Sequence, residues 1–278
     1  MGTIKIVTDS SADVLTLNGA DFASAPLKII SDEREFTDDS RLNVMEMAEY
    51  FDKYKGRSQT SCPNPQDWLD AFGSAENVIC VTITSALSGS HGAACAAKTL
   101  YEAENPGRRV FVLDTLSAGP ELRLIIEKLE TWITAGRSFE GICRGIKQYA
   151  EKTGLLFMLK SMNNLANNGR VSKLAAKAAG LAGIHVVGKA SDKGTLEAVS
   201  KCRGEKRALE AMVSALAAHG LTRGKVRISH CLNLPAALKL KEMLRVTFPD
   251  SAVEIHECRG LCSYYAERGG LLIGYEKV

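Results

Sequence analysis

Residues 77–115 read NVICVTITSALSGSHGAACAAKTLYEAENPGRRVFVLDT, and this stretch determines the expected fold class. The near-continuous apolar run over 77–84 predicts a strand that is covered on both faces. Small polar residues open the segment 88–104, which predicts a helix that ends at an Asn-Pro-Gly turn. Residues 109–115 predict a second buried strand, and a helix to about residue 136 follows it. This order is typical of a parallel sheet with helices on both faces.

The same alternation of short strands and longer helices extends in both directions from this stretch. Further strands are predicted at 4–7, 25–30, 155–159, 185–190, 196–201, 226–231, 252–256 and 271–276. Further helices are predicted at 138–152, 162–167, 172–181, 205–219 and 235–246. The fold class is therefore α/β, with a soft domain boundary near residue 153.

Length and composition indicate an ordinary globular protein. The chain has 278 residues, enough for one large domain or two modest ones. Hydrophobic residues make up 45% and charged residues 24%, which excludes a disordered or fibrous chain. The longest apolar runs are far too short to cross a bilayer, and the N-terminus lacks the basic start of a signal peptide. We therefore expect a cytoplasmic protein.

Charge and cysteine content exclude two further classes. The net charge is +3 and the basic residues are scattered, whereas nucleic-acid-binding proteins usually cluster theirs in one stripe or helix. The eight cysteines include no Cys-x-x-Cys pair, and no pair of ligands at zinc-finger spacing completes a metal site. We expect reduced, mostly buried thiols, no metal and no nucleic-acid partner.

Hydroxyl-bearing residues follow the predicted strands at the ends where a parallel α/β sheet binds its ligands. They lie in residues 8–11, 84–90 and 114–117, and residues 60–63, which precede the second of these strands, are also rich in hydroxyls. Ser88-Gly89-Ser90 lies where a buried strand turns into a helix, and the free N–H groups and dipole of a helix N-terminus attract an anion. The alternative is that Ser88 only caps the helix.

Other chemical signals are weaker. Asp9 suggests an aspartyl nucleophile only faintly, and none of the five histidines has a partner at ligand spacing. His91, in the first turn of the predicted helix, is the histidine that best fits a functional role. Arg170 follows an Asn-Gly turn, where it is either a functional or a solvated arginine. No complete set of acid, base and nucleophile is found.

Several motifs occur in the order that is seen in the DegV family. They are IKIVTDSSAD (4–13), TSCPNP (60–65), TSALSGS (84–90), DTLSA (114–118), LANNGRVS (165–172) and CRGEK (202–206). Each motif alone is weak, but together they are specific, and the resemblance covers essentially the whole chain.

The resemblance implies a two-domain architecture. Residues 1–153 would form a parallel-sheet, three-layer α/β/α domain, and residues 154–278 a mixed-sheet α/β domain, with the two intertwined. A long-chain fatty acid such as palmitate would lie between them, and no cofactor is implied. In relatives, such a protein is the acyl-carrying subunit of a bacterial fatty acid kinase. It has no catalysis of its own and presents the carboxyl group to a separate ATP-using subunit. Transient contact with a membrane surface is also compatible with this role.

The resemblance also implies site residues. Thr60 and Ser88 would hold the carboxylate, with Arg170 at the mouth of the pocket. Further ligand-binding candidates are Ser61, Gly89 and Ser90, and a wider set adds Asp9, His91, Ser117 and Ser263. Arg203 and Lys206 would face the kinase.

The sequence departs from the DegV pattern in three places. Cys62 and Asn64 replace the usual Gln and Ser of one motif, and Asn168 replaces a Gly. The C-terminal His-Thr-Gly-Pro-Gly motif is absent, and residues 260–270 read GLCSYYAERGG. Candidate substitutes for its histidine are Cys262, Ser263 and Tyr264.

Two questions stay open at the sequence level. Apolar candidates for the lipid tunnel are Phe157, Met158, Met162, Leu165 and Ile184, but periodicity cannot distinguish tunnel residues from core residues. Two alternatives to a carrier are an enzyme that acts on a small phosphorylated or acyl substrate through Ser88 or Asp9, and a regulatory protein with a purely structural lipid.

Overall fold

The computed structural model describes residues 3–173 and 183–278, and its first sheet confirms the predicted parallel arrangement. The four strands of this sheet lie side by side in the order β2 (Asp21–Ala25), β1 (Ile4–Asp9), β6 (Asn77–Thr82) and β7 (Arg109–Asp114). All neighbouring pairs are parallel. Every residue of β6 is buried, as expected of a strand that is covered on both faces.

Helices cover both faces of the parallel sheet. One face packs against α2 (Pro65–Phe72) and α3 (Ser90–Glu104), and Trp68 and Phe72 are fully buried there. The other face packs against α4 (Pro120–Thr134) and α5 (Phe139–Ala150). The parallel sheet is thus the middle layer of a three-layer α/β/α arrangement.

A second sheet of six strands is mixed. Its order is β10 (Leu196–Arg203), β9 (Ile184–Ala190), β8 (Thr153–Leu159), β13 (Leu271–Glu276), β11 (Gly224–His230) and β12 (Ser251–Glu257). Only the β11–β12 pair is parallel among these neighbours. Two helices, α7 (Glu205–Ala218) and α8 (Leu234–Thr247), cover its outer face.

Helix α4 lies between the two sheets and contacts both. Leu122, Ile125 and Leu129 are fully buried against the parallel sheet. On the opposite side, a Cβ atom at Gly274 of β13 would lie 2.4 Å from the Pro120 carbonyl oxygen, so glycine permits the close approach. The two halves of the chain therefore share one buried helix.

A small third sheet corrects one sequence prediction. The single strand predicted over 25–30 is two strands, because β2 ends at Ala25 and β3 (Lys28–Ser31) belongs to another sheet. Pro26 between them has no N–H to donate to a ladder. The other strands of the small antiparallel sheet are β4 (Glu35–Thr37) and β5 (Ser58–Ser61), and helices α1 (Val44–Lys53) and α9 (Gly260–Ala266) pack beside it.

The predicted domain boundary near residue 153 stays a prediction. The strands of the parallel and small sheets precede Thr153, where β8 begins. Helix α6 (Asn163–Asn167) follows β8. The helix predicted over 172–181 falls almost entirely on residues 174–182, which lie outside the described residues. Within the described part of the chain, no helix combines the length and apolar character that crossing a membrane requires.

Candidate ligand-binding site

A cavity lies where the loops at the carboxyl end of the parallel sheet meet the mixed sheet. It holds about 710 Å³ of empty space, counted up to and including its open mouth. Ile83, Leu87 and Ser88 line it from the loop after β6, and Ala118 from the loop after β7. The cavity therefore occupies the position where parallel α/β sheets generally bind ligands.

Most of the cavity wall is apolar. Alternate residues of β8 point to the same face of the strand, so Leu155, Phe157 and Leu159 form one side. The remaining apolar wall residues are Leu27, Leu165, Leu196, Leu261, Cys262, Ala266 and Leu272. The wall offers a hydrocarbon-like surface with few groups that water could bind.

Four lining residues carry polar groups, and they lie near one another. The hydroxyl of Thr60 is 2.7 Å from that of Tyr265, and the Arg170 charge partly offsets the burial that raises the pKa of the Tyr265 phenol. Arg170 Nε donates to the Leu87 carbonyl oxygen at 3.1 Å, next to Ser88 in the chain. The structure thus brings Thr60, Ser88 and Arg170 together, as expected from their motifs, at one polar end of the cavity.

Tyr265 is the polar lining residue that sequence reasoning missed. Leu261, Cys262, Tyr265 and Ala266 share the cavity face of α9, following the spacing of one helix face. That spacing is the signal that could have identified Tyr265. Burial raises the pKa of its phenol above the ordinary value, so it is a neutral hydrogen-bond donor.

Two suggested substitutes for the missing histidine face away from the cavity. The Ser263 hydroxyl donates to the Cys258 carbonyl oxygen at 3.1 Å. The Tyr264 hydroxyl lies 2.7 Å from that of Ser58, and both Ser263 and Tyr264 line a different cavity on the other side of α9. Cys262 does reach the wall, where its thiol donates to the Ser11 carbonyl oxygen at 3.3 Å.

Comparisons with known proteins agree with this geometry. The family model described as "Uncharacterised protein, DegV family" matches residues 3–277. The chain belongs to the DegV family. A curated DegV domain-containing protein from Streptococcus pneumoniae is 42% identical over 278 residues, with 99% of each chain covered. The resemblance proposed from the DegV motifs is confirmed.

Two solved structures of DegV relatives were determined with a fatty acid. A DegV family protein from Eubacterium eligens, loaded with heptadecanoic acid, is 43% identical with a TM-score of 0.97. The Fatty Acid Kinase (Fak) B3 protein of Streptococcus pneumoniae, loaded with linoleic acid, is 42% identical, also with a TM-score of 0.97. In both comparisons 99% of this chain and 100% of the other chain are covered. The α/β fold with its parallel and mixed sheets is therefore that of DegV crystal structures.

Asp9 of this DegV protein is a structural carboxylate. It is fully buried, and its oxygens accept hydrogen bonds from the hydroxyls of Ser11 and Ser90 and the N–H of Ile83. Desolvation raises its pKa above the ordinary value. Asp9 therefore connects strand ends through these hydrogen bonds. Its burial contradicts the hypothesis that Asp9 is an accessible nucleophile. Ser90 directs its hydroxyl to Asp9 rather than into the cavity.

Other candidates near the strand ends are also placed by the structure. The exposed Ser61 donates to the Cys62 carbonyl oxygen at 3.2 Å. Gly89 is exposed directly before α3, and a Cβ atom there would lie 3.1 Å from the Cys62 thiol. The Ser88 hydroxyl accepts the Ser90 N–H at 3.3 Å and lines the cavity, whereas the N-cap residue of α3 is Gly89.

His91 and Ser117 relate to a second, more polar cavity. His91 lines that cavity, and Ser117 donates at 2.5 Å to Glu121, which also lines it. Arg203 and Lys206 are exposed, at the end of β10 and the start of α7. The structure therefore does not bring these four residues to the polar end of the first cavity.

The apolar candidates divide between cavity and core. Phe157 and Leu165 line the first cavity. Met158 points to the opposite face of β8, into the core beneath α7. Met162 packs with Phe157 and Leu165 without lining the cavity, and Ile184 begins β9 away from it.

Proposed function

We propose that this DegV protein binds a long-chain fatty acid in the first cavity, with its carboxylate at the polar end. The observation that carries the proposal is an apolar cavity that ends at the paired hydroxyls of Thr60 and Tyr265. Both fatty-acid-loaded relatives have the same fold at more than 40% identity. The acyl chain would lie between the parallel and mixed sheets.

The chemistry of the cavity suits an amphipathic acid. Burying each methylene is worth about 0.8 kcal/mol, so a sixteen-carbon chain offers roughly 10 kcal/mol before the costs of binding. The Ser88 hydroxyl can donate one hydrogen bond to a carboxylate, and the pair formed by Thr60 and Tyr265 can donate a second, because one hydroxyl of that pair donates to the other. The nearby guanidinium of Arg170 adds positive charge. The hydrocarbon wall supplies affinity, and the hydroxyls fix which end of the ligand faces the mouth.

We propose further that the protein is a carrier without catalysis of its own. The described residues that line the cavity include no aspartate, glutamate or histidine, so no general base lies beside Ser88. A catalytic Ser88 is correspondingly disfavoured. The carboxyl group would be phosphorylated by a separate fatty acid kinase subunit, in agreement with the similarity to the Fak B3 protein. We propose a cytoplasmic location, because an ATP-using partner would act there.

The surface next to the polar end supports a docking partner. Thr60 and Arg170 also line an adjoining polar recess, together with Arg57 and Lys173. Arg203 and Lys206 add exposed positive charge on the mixed-sheet half. An acidic surface on the kinase would be complementary to these groups.

Native mass spectrometry, followed by denaturing extraction, tests the carrier function. The wild-type protein is expected to show a mass excess of a few hundred daltons that matches a released fatty acid. The double variant Thr60→Val/Ser88→Ala should lose most of this excess. A control, Thr37→Val/Ser85→Ala, changes the same residue types outside the cavity wall and should retain it. A wild-type protein that stays free of lipid after incubation with fatty acids would refute the proposal.

A further inference from the structure

Leu155 separates two cavities. It lines the first cavity, which we call the acyl cavity from here on, together with Phe157 and Leu159. It also lines the second cavity. Among the described residues it is the only one that the two cavities share. Leu155 is almost completely buried, at 4% exposure, and forms part of the wall between them.

Leu155 lies near the end of β8 that is far from the polar groups of the acyl cavity. The strand runs from Thr153 to Leu159 and leads into α6. Leu165, in α6, accepts the backbone N–H of Arg170 at 2.8 Å, which places the Leu159 end of the strand near the polar end of the cavity. At about 3.3 Å per residue, Leu155 lies roughly 13 Å further along the strand. The methyl end of a bound acyl chain would therefore approach Leu155.

The space beyond Leu155 is lined by both polar and apolar residues, and Val112, Leu113 and Leu116 supply apolar surface there. Glu121 lines the second cavity and is buried, with hydrogen bonds from the hydroxyls of Ser117 and Thr153. Lys147 and Lys277 line it as well. The second cavity holds about 1260 Å³ of empty space, including its mouth. Removing the Leu155 side chain would therefore open the acyl cavity into a larger space.

We propose that Leu155 is a specificity-determining residue that sets the longest acyl chain this protein accepts. The inference rests on the proposed fatty-acid-binding function. A chain that ends before Leu155 is buried entirely against apolar side chains. A longer chain meets the leucine and has to fold back or leave its carboxylate short of the hydroxyls of Thr60 and Tyr265.

The test compares Leu155→Ala with the matched control Leu159→Ala. Both leucines are buried, point from the same face of β8 and line the acyl cavity, but only Leu155 borders the second cavity. Each delipidated protein is incubated with an equimolar mixture of saturated fatty acids of fourteen to twenty-two carbons. Native mass spectrometry then gives the bound distribution. Leu155→Val, which removes one methylene, is included in case the alanine variant folds poorly.

Leu155→Ala is expected to shift the bound distribution towards longer chains. Each added methylene that finds apolar contact is worth about fourfold in affinity, so two should enrich longer chains about fifteenfold. Leu155→Val should give a smaller shift in the same direction, and Leu159→Ala should leave the upper limit unchanged. An unchanged distribution in both Leu155 variants, or an equal shift in Leu159→Ala, would overturn the inference. A wild-type protein without fatty acid would instead refute the proposed function.

Discussion

At the scale of single residues, Tyr264 and Tyr265 show how adjacent side chains in one short helix serve different cavities. Tyr265 contributes its hydroxyl to the polar end of the acyl cavity beside Thr60. Tyr264 bonds to Ser58 and Asn168 and lines the cavity behind α9. The two side chains carry the same hydroxyl, but only that of Tyr265 lies at the acyl cavity. A variant of Tyr264 is therefore a matched control for the same variant of Tyr265.

Tyr265→Phe is expected to weaken fatty acid binding by about five- to tenfold, because one hydrogen bond is worth about 1 kcal/mol. The ring remains to fill the wall, so the free energy of unfolding should change little. Displacement of a fluorescent fatty acid measures the affinity. Tyr264→Phe removes a hydroxyl of the same kind outside the acyl cavity and should leave binding intact. Equal losses in the two variants would contradict a direct role for Tyr265.

Asp13 is a second residue whose burial has a measurable consequence. Its Oδ1 atom accepts the Arg259 N–H at 2.8 Å, and desolvation raises its pKa to about 7. A raised pKa means that the folded state holds a proton which the unfolded state has lost. The stabilising contribution is present below the unfolded pKa of 3.8 and is lost as the pH rises through about 7.

Asp13→Asn should therefore gain stability over the wild type as the pH rises. Asparagine mimics the protonated acid, and it tolerates the positive φ of 56° found at this position. Between pH 5 and pH 8 the difference should move by about 2–3 kcal/mol in favour of the variant. Urea unfolding at the two pH values measures it. A difference that does not depend on pH would show that Asp13 does not titrate in this range.

At the scale of elements, the N-terminus of α9 is held by a carboxylate from the small sheet. Asp38, just after β4, accepts the N–H groups of Gly260 and Leu261 at 2.8 and 2.9 Å. Asp38 is 2% exposed, so these N–H groups are shielded from water. The contact joins the loop after β4 to the helix that carries Tyr265.

Asp38→Ala is expected to lower the free energy of unfolding by about 2–4 kcal/mol, because it leaves two buried N–H groups without an acceptor. Fatty acid affinity should fall as well, since α9 supplies part of the cavity wall. The neighbouring variant Asp39→Ala removes a carboxylate that pairs with the exposed Arg41 and should cost less than about 1 kcal/mol. Chemical denaturation of both variants gives the comparison. Similar costs would argue against the anchoring role of Asp38.

The sequence patterns did not predict the helices α1 and α2, and the strands that they missed or misplaced are short. Strand β4 has three residues and β5 has four, which is too few for alternation to be recognised. The break between β2 and β3 at Pro26 directs two strands to different sheets, a tertiary outcome that no local pattern contains. The long buried strands β6 and β8 were predicted because their apolar runs are continuous.

At the scale of the whole molecule, the cavity wall is assembled from segments that are distant in the chain. Phe157 and Met158 are neighbours with similar hydropathy, but one faces the cavity and the other faces the core beneath α7. The DegV motifs therefore identified Thr60, Ser88 and Arg170 as candidates, whereas only the three-dimensional structure shows which apolar residues line the cavity.

Removing the ligand should destabilise the whole molecule, because a bound acyl chain would contact both sheets. Ligand at one hundred times its dissociation constant stabilises the folded state by about 2.7 kcal/mol. Delipidated protein should therefore unfold several degrees lower, and added palmitate should restore the melting temperature. Calorimetry of wild type and Thr60→Val/Ser88→Ala tests this, with a smaller recovery expected for the variant. A melting temperature that does not respond to fatty acid would exclude a ligand bridging the sheets.

The placement of α4 between the two sheets limits how the protein can be recombined with its relatives. The helix precedes residue 153 in the chain. The side of the helix that faces away from the parallel sheet nevertheless packs against Gly274, which follows residue 153. The buried Arg227 of β11 also forms a bidentate ion pair with the partly buried Glu127 of this helix, at 2.8 and 2.7 Å. A chimaera spliced at residue 153 would set one parent's helix against the other parent's sheet. Engineers who wish to exchange acyl specificity between DegV proteins should therefore transplant the helix's contact residues along with the cavity wall.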